Sequence, residues 1–315
     1  MNKFVLVTGG AGYIGSHTVV ALQQKGYTPI IADDFRNANE VVLEGLTQIL
    51  GAAPILHRID VCDAAALNQL FEQYNFEGVI HFAAYKAVGE SVEKPLAYYQ
   101  NNLVGLINVL SMLEKHDVRN FVFSSSCTVY GEPKGEKEVS ESTPKQAPES
   151  PYGFTKWMGE QIITDFHKSS AKSKLMNLRY FNPVGAHASA LIGEYPIGKP
   201  NNLLPFVTQT AIGKHAHLTV FGNDYPTRDG SCIRDYIHVT DLAEAHVAAL
   251  EFLAKARLSM SLFISLYMMA VWRRLYKVKF LSLFSSSPLV LMISAKIFPS
   301  FSIAVDLFVY CGKNR

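Results

Sequence analysis

The chain has 315 residues, 49% hydrophobic and 11% aromatic, which excludes a disordered or low-complexity polymer and provides for a large core and two lobes. Its net charge of +2 conceals a split: residues 1–256 carry 21 Lys and Arg against 26 Asp and Glu, whereas residues 257–315 carry 8 against 1. The acidic body argues against nucleic acid as a partner, and the basic end requires its own account.

The first predicted element is an apolar strand from Phe4 that runs into Gly9-Gly10-Ala11-Gly12-Tyr13-Ile14-Gly15, with a helical pattern following at once (Thr18, Val19, Val20, Ala21, Leu22). Glycines at 10, 12 and 15 fit G-x-G-x-x-G, and those at 9, 12 and 15 fit G-x-x-G-x-x-G. A tight turn, the approach of a pyrophosphate to bare backbone and close strand–helix packing each favour glycine. The helix N-terminus then offers free N–H groups to phosphate. A second apolar strand, Thr28–Ala32, ends at Asp33, eighteen residues past Gly15. A carboxylate there accepts both ribose hydroxyls and repels a 2′-phosphate, so NAD is expected over NADP, although Arg36 close by pulls the other way. A glycine-rich turn without a ligand is the plainer alternative.

Next come a helix over 40–50, a strand over 54–59 ending at Asp60, a helix over 64–73 and a buried strand over 78–82 leading into Ala83-Ala84. Pro95 and Lys115 frame a long helix, and 120–125 is the following strand. Such alternation predicts an α/β fold, a doubly wound parallel sheet of the Rossmann type. Ligands bind off the carboxyl ends of such strands, so Asp33, Asp60, Phe82-Ala83-Ala84 and Ser124-Ser125-Ser126 are expected along one edge. From Pro183 the alternation fades into a smaller, incomplete substrate lobe, with a helix over 202–212, a strand over 218–221 and a helix over 241–252 capped by Thr240 or Asp241. The expected domains are 1–182, 183–256 and a tail, 257–315. Cys62, Cys127, Cys232 and Cys311 form no C-x-x-C, so neither a metal site nor a disulfide framework is expected. Reduced thiols and a strand close to the N-terminus, without a leader pattern, suggest a cytoplasmic protein.

Ser150-Pro151-Tyr152-Gly153-Phe154-Thr155-Lys156 opens another helical pattern, which places Tyr152 and Lys156 on one face at i and i+4. A nearby ammonium stabilises a phenolate, and the phenolate can take a hydroxyl proton while hydride leaves the same carbon. Two further Y-x-x-x-K matches, Tyr130/Lys134 and Tyr195/Lys199, are broken by proline or glycine. An exposed Tyr/Lys helix pair is the bland alternative.

Taken together, these strings resemble the extended short-chain dehydrogenase/reductase superfamily, and within it the family of UDP-glucose 4-epimerases. Carrying the resemblance are Thr8–His17, His81–Ser91, Phe123–Gly131, Tyr152–Lys156, Arg179–Pro183, Asn201–Leu203 and Phe221–Tyr225 through Arg234–Val239. The resemblance implies NAD as cofactor, held by Gly9, Gly12, Tyr13, Ile14 and Gly15 at the pyrophosphate, and by Asp33, Asp34, Asn37 and Ala38 around the ribose. Asp60 and Val61 would meet the adenine, and Phe82, Ala83, Ala84, Lys86 and Asn101 would run along the cofactor, with Phe181 at the nicotinamide. It implies Tyr152 as base, Lys156 as its helper and nicotinamide-ribose ligand, and Ser126 as a hydrogen-bond partner of the sugar. Asn182, Asn202, Leu203, Phe221 and Arg234 would hold the UDP of a UDP-hexose substrate. The implied reaction, in galactose metabolism, interconverts UDP-glucose and UDP-galactose by C4 oxidation, rotation of the 4-keto sugar and re-reduction. A homodimer through the helices at 95–115 and 151–168 is implied as well.

Alternatives within the superfamily are a dehydratase, which would need an Asp-Glu pair where Ser126-Cys127-Thr128 stands, and a decarboxylase, which would need an arginine for a sugar carboxylate. The resemblance stops at about Ala256. Residues 257–315 hold ten serines, one acidic residue and one glycine, with uncharged runs at 258–272, 280–295 and 297–305, all too short for a spanning helix. The stretch reads as translation in a shifted frame rather than as a membrane-surface tail. It leaves the substrate lobe without its expected completion, so weak NAD binding and little turnover are expected, and an inactive nucleotide-binding product is a further alternative.

Overall fold

The computed structural model describes residues 3–131, 139–170, 172–198, 200–220 and 222–256, together with the backbone of 262–267, 279–282, 289–294 and 310–311. The chain divides into two units, residues 1–195 with 237–268, and residues 196–236 with 269–315.

In the first unit, strands and helices alternate from the start. β1 (Phe4–Thr8), α1 (Tyr13–Gln24), β2 (Thr28–Ala32), α2 (Val41–Leu50), β3 (Ile55–His57), α3 (Ala64–Gln73) and β4 (Phe76–His81) form the nucleotide half. Two short helices, α4 (Val88–Glu93) and α5 (Pro95–Tyr99), lead into a π-helical turn, Gln100–Val104, and then α6 (Gly105–Lys115) and β5 (Asn120–Ser124). After a 3-10 turn, Cys127–Tyr130, come α7 (Pro151–Ser169), β6 (Lys174–Arg179) and β7 (Asn182–Val184). The second unit contributes α8 (Leu203–Ala211). β8 (Tyr236–His238) pairs with β7 in a two-stranded sheet, and α9 (Val239–Lys255) and β9 (Leu262–Tyr267) complete the core layer.

Local chemistry accounts for the boundaries. The Asp63 side chain accepts from the backbone N–H groups of Ala65 and Ala66, both at 3.0 Å, and so starts α3. Pro151 occupies the first turn of α7, where its missing N–H costs nothing, and Ser150 Oγ accepts from Gly153 N at 3.2 Å. α9 begins two to three residues before the expected Thr240 or Asp241 cap. His238 takes that role, its Nδ1 accepting from Thr240 N at 3.2 Å. The single helix expected over 95–115 is three segments, because the π turn widens the spiral at Asn101 and Asn102. Residues 218–220 are not a strand, and Phe221 lies outside the described residues.

The sheet is parallel, in the order β3-β2-β1-β4-β5-β6-β9. Order reverses between β1 and β4, which opens a crevice at the carboxyl edge. The register fixes who meets there: Thr8 pairs with Ala32 and His81, His81 with Phe123, and Ser124 with Leu178. Alternate strand residues feed two apolar layers. Val5, Val7, Ile31, Val122 and Met176 pack with Val19 and Leu22 of α1 and Leu242, Val247 and Leu250 of α9. Leu6, Ile30, Phe121, Phe123 and Leu175 pack with Leu67 and Leu70 of α3, Val109 and Leu113 of α6, and Ile163 of α7. Each fully buried aliphatic side chain contributes about 1.5–3 kcal/mol, so these layers hold the edge rigidly.

In the second unit, α8 buries Pro205 and Val207, and Phe206 stacks on His215 with centroids 4.6 Å apart. The tail backbone forms a three-stranded antiparallel sheet of β10 (Lys279–Ser282), β11 (Leu289–Ser294) and β12 (Tyr310–Cys311).

Candidate active site

The glycine turn joins β1 to α1 with almost no free space. Gly9 has φ +70°, and a Cβ there would stand 2.8 Å from Ala83 N. A Cβ on Gly15 would lie 2.2 Å from Gly9 O, so α1 can press against the turn only without one. Gly12 is the N-cap of α1, and Tyr13 and Ile14 begin its first turn. The Tyr13 hydroxyl donates to Gly185 O at 2.6 Å.

At the end of β2 the Asp33 carboxylate is buried. Its Oδ2 accepts from Ala11 N at 3.0 Å and its Oδ1 from Phe35 N at 2.9 Å. Burial raises its pKa above the ordinary carboxylate value, and the two backbone N–H groups oppose that rise. Each oxygen retains a lone pair, so the carboxylate can still accept ribose hydroxyls. Phe35 has φ +63°, a strained value for a bulky residue, and Arg58 lies over its ring at 4.5 Å. Asn37 and Ala38 follow in the same loop.

Arg36 is committed to carboxylates. Its guanidinium pairs with both Asp34 and Asp60, and its Nη1 donates to Asn101 Oδ1 at 2.9 Å. A cation already neutralised on two sides is a poor receptor for a 2′-phosphate. Asp60 also accepts from Cys62 N at 2.8 Å, and Val61 beside it is buried, its carbonyl accepting from Asn108 Nδ2 at 3.0 Å.

Past β4, Phe82 N donates to Thr8 O at 3.0 Å, which carries Phe82, Ala83 and Ala84 along the glycine turn. Lys86 pairs with Glu194 at 3.3 Å. Asn102, which no motif singled out, pins this segment: its side chain bonds Tyr85 N at 2.8 Å, Tyr85 O at 3.0 Å and Thr155 Oγ1 at 2.9 Å. The π turn sets Asn101 and Asn102 side by side, Asn101 Nδ2 donating to Asn102 Oδ1 at 2.9 Å.

α7 brings Tyr152 and Lys156 to the end of β5. Lys156 is 5% exposed; its ammonium donates to Ser124 O at 2.6 Å and lies 4.9 Å over the Phe123 ring. Burial lowers its pKa to about 8, against which the Glu160 charge pulls upward. Tyr152 is half-buried. Burial raises its pKa, the neighbouring Tyr180 adds to the rise, and a hydrogen bond with Ser126 opposes it. Ser126 Oγ also accepts from Thr128 N at 3.2 Å and thereby starts the 3-10 turn. No carboxylate stands at 126–128, where a dehydratase would place its acid pair. Ser126, Tyr152 and Lys156 therefore converge. Phe181 and Asn182 extend from the end of β6 into β7.

Of the substrate residues expected from sequence, four belong to the second unit, three of them among the described residues. Asn202 is the N-cap of α8, Leu203 its first residue, and Arg234 is exposed, with Nη1 donating to its neighbour's carbonyl, Ile233 O, at 2.9 Å.

Residues 5–259 match the model of the NAD dependent epimerase/dehydratase family. The chain belongs to this family. Among its members, UDP-glucose 4-epimerase 2 of Arabidopsis thaliana is 50% identical over 262 residues, spanning 82% of this chain and 74% of that protein. The human UDP-glucose 4-epimerase is 50% identical over 256 residues, spanning 79% and 73%. The crystal structure of the Bifidobacterium longum UDP-glucose 4-epimerase, in complex with NAD+ and UDP, is similar with a TM-score of 0.79 and 45% identity over 84% of this chain and 78% of that one. The family match ends at residue 259, within three residues of where the sequence texture changes.

The family motifs leave unexplained a buried charge cluster behind α7. Glu160 and Arg179, 1% and 5% exposed, form a two-point ion pair (Nε–Oε1 2.8 Å, Nη2–Oε2 2.6 Å). Their sequence signal is the spacing Tyr152, Lys156, Glu160, which at i, i+4 and i+8 marks one helix face.

Proposed function

We infer that this chain is an NAD-dependent UDP-hexose 4-epimerase that interconverts UDP-glucose and UDP-galactose. The observation that carries the reading is the convergence of Ser126, Tyr152 and Lys156 at the end of β5, on the same sheet edge as the Gly9–Gly15 turn and Asp33. The residues present fit NAD: a backbone cradle that any Cβ at Gly9 or Gly15 would fill, and a buried carboxylate with free lone pairs at the ribose position.

When bound, oxidised NAD accepts hydride from C4 and gives it back, and its positive ring favours the phenolate of Tyr152. The chain does the rest. Tyr152 takes the 4-hydroxyl proton as C4 is oxidised, and returns it when the 4-keto sugar is reduced on its other face. Ser126 orients that oxygen. Lys156, as an ammonium, holds the developing charge on Tyr152 and meets the nicotinamide ribose. Gly12, Tyr13 and Ile14 receive the pyrophosphate at the start of α1. Asp33, Asp34, Asn37 and Ala38 surround the ribose, Asp60 and Val61 the adenine, and Phe82 to Lys86, Asn101 and Phe181 flank the remainder. Asn182, Asn202, Leu203, Phe221 and Arg234 are assigned to UDP, for which arginine's fork suits phosphate oxygens. The proposal includes the division 1–182, 183–256 and 257–315, a cytoplasmic setting and a homodimer. Support for the dimer is the exposed apolar set Val92, Leu96 and Ile107 on α4, α5 and α6.

The test is conversion of UDP-galactose by the purified chain, followed by chromatography with protein in excess over substrate. Residues 257–315 lack the family pattern, so turnover is expected to be low. It should rise more than about tenfold when they are replaced by the corresponding segment of the human relative, because remote UDP contacts are spent on the reacting centre. No conversion by either form contradicts the reading.

A further inference from the structure

Behind the site, one buried carboxylate serves three cations. Glu160 Oε1 accepts from Arg179 Nε at 2.8 Å and from Ser125 Oγ at 2.6 Å. Its Oε2 faces Arg179 Nη2 at 2.6 Å and Lys145 Nζ at 3.3 Å. Lys156, one helical turn before it, also feels its charge. Arg179 donates onward to the Tyr130 hydroxyl at 3.1 Å, and Glu141 lies near that tyrosine. Ser125 sits between Ser124, whose carbonyl receives the Lys156 ammonium, and Ser126, which bonds Tyr152. One carboxylate thus ties the end of β5 to both β6 and the catalytic helix.

We propose that Glu160 is a positioning residue for the epimerase chemistry: its carboxylate keeps Lys156 charged and holds the Ser124–Ser126 corner under Tyr152. This rests on the function inferred above. The physical reason is an asymmetry between the cations. Arg179 cannot give up its proton, whereas a buried lysine can. If the carboxylate charge is removed, Arg179 stays positive and Lys156 is the group that neutralises. The other described groups facing Lys156 carry no negative charge. β4 brings His81 and α9 brings His246, both buried and neutral, and β5 offers only the Ser124 carbonyl and the Phe123 ring. Tyr152 and Tyr180 are uncharged at rest. Glu160 is the carboxylate that sustains the ammonium, and a neutral Lys156 would no longer stabilise the phenolate.

The test is a carbon-13 NMR titration of the full chain labelled at lysine Cε, with the Lys156 signal assigned by its loss in Lys156→Met. In Glu160→Gln the Lys156 midpoint should fall by at least about one pH unit. Glu160→Gln combined with Arg179→Met removes the buried guanidinium together with its carboxylate and serves if the single variant does not fold; its midpoint should also lie below that of the wild type. A midpoint unchanged from wild type in either folded variant overturns the proposal. In the family-tailed form, the limb of kcat/KM that reports Tyr152 ionisation should move to higher pH in Glu160→Gln, and a fall in rate without that movement would mean a merely structural role. The titration needs neither substrate nor turnover. Failure of the epimerase reading, seen as no conversion of UDP-galactose, is therefore distinguishable from failure of this one.

Discussion

At the β1–β2 end of the sheet edge, recognition is made of backbone. Gly9, Gly12 and Gly15 clear a path, the start of α1 offers its N–H groups, and one carboxylate, Asp33, is held by two more. At the β5–β6 end the same edge is backed by ionised side chains with little access to water: Lys156, Glu160 and Arg179 are each 5% exposed or less. In the function proposed, the first region binds by shape and by one fixed carboxylate. The second, to which the proposed function assigns proton transfer, concentrates charge where the low dielectric makes each group's state depend on its neighbours.

Acid should expose that difference most strongly. His81 and His246 of the catalytic side, and His17 of α1, are buried, and burial lowers their pKa values to about 3, 4 and 4 from the ordinary 6.5. The unfolded chain therefore binds protons that the folded chain does not, and stability is lost as pH falls below about 6.5. Between pH 7 and pH 5 the loss is about 2 kcal/mol per histidine, read as a falling urea midpoint. A midpoint independent of pH over that range would mean the rings are not held neutral. Next in size, Tyr152→Phe should cut UDP-galactose conversion about 10²–10⁴-fold while leaving NAD affinity, measured by calorimetry, within about twofold. Equal loss of both would make Tyr152 a packing residue.

On the nucleotide side, Gly15→Ala places a methyl 2.2 Å from Gly9 O and should cost about 1–3 kcal/mol of stability along with most of the NAD affinity. An unchanged Tm and affinity would show that the turn gives way easily. The smallest effect is expected for Asp33→Asn, which retains shape and removes charge. NAD should weaken and NADP strengthen, changing their affinity ratio by about tenfold. Arg36 limits the gain, since Asp34 and Asp60 already neutralise it. A ratio that does not move would show that discrimination lies elsewhere.

The same contrast explains what was legible in the sequence. The glycine turn, Asp33 and α3 could be read because their requirements are local: a missing Cβ, a strand end, an Asp63 cap followed by Leu67, Leu70 and Phe71. β6 was not among the expected elements, although it is wholly buried, because Lys174, Asn177 and Arg179 break its apolar pattern. Lys174 resolves that burial by donating to Ala256 O at 2.8 Å, and Arg179 does so through Glu160, contacts distant in sequence that no pattern announces. Leu218 to Phe221 had a strand-like composition, yet 218–220 form none, since apolar alternation needs a neighbouring strand to become one. The long helix at 95–115 was read as continuous because a π turn has no compositional mark; its purpose shows only once Asn101 and Asn102 are seen beside Tyr85 and Arg36. The Tyr152–Lys156 spacing was visible, but not that the resting ammonium would lodge on Ser124 O.

The central claim of the proposed function is that C4 of the sugar gives up a hydride and regains the same one while Tyr152 takes and returns the proton. UDP-galactose carrying deuterium at C4 tests it most directly, with product analysed by mass spectrometry after incubation with excess protein in ordinary water. The account predicts UDP-glucose with the deuterium retained at C4 and no net consumption of NAD. Deuterium exchanged with solvent, or conversion that consumes added NAD in step with product, would contradict it.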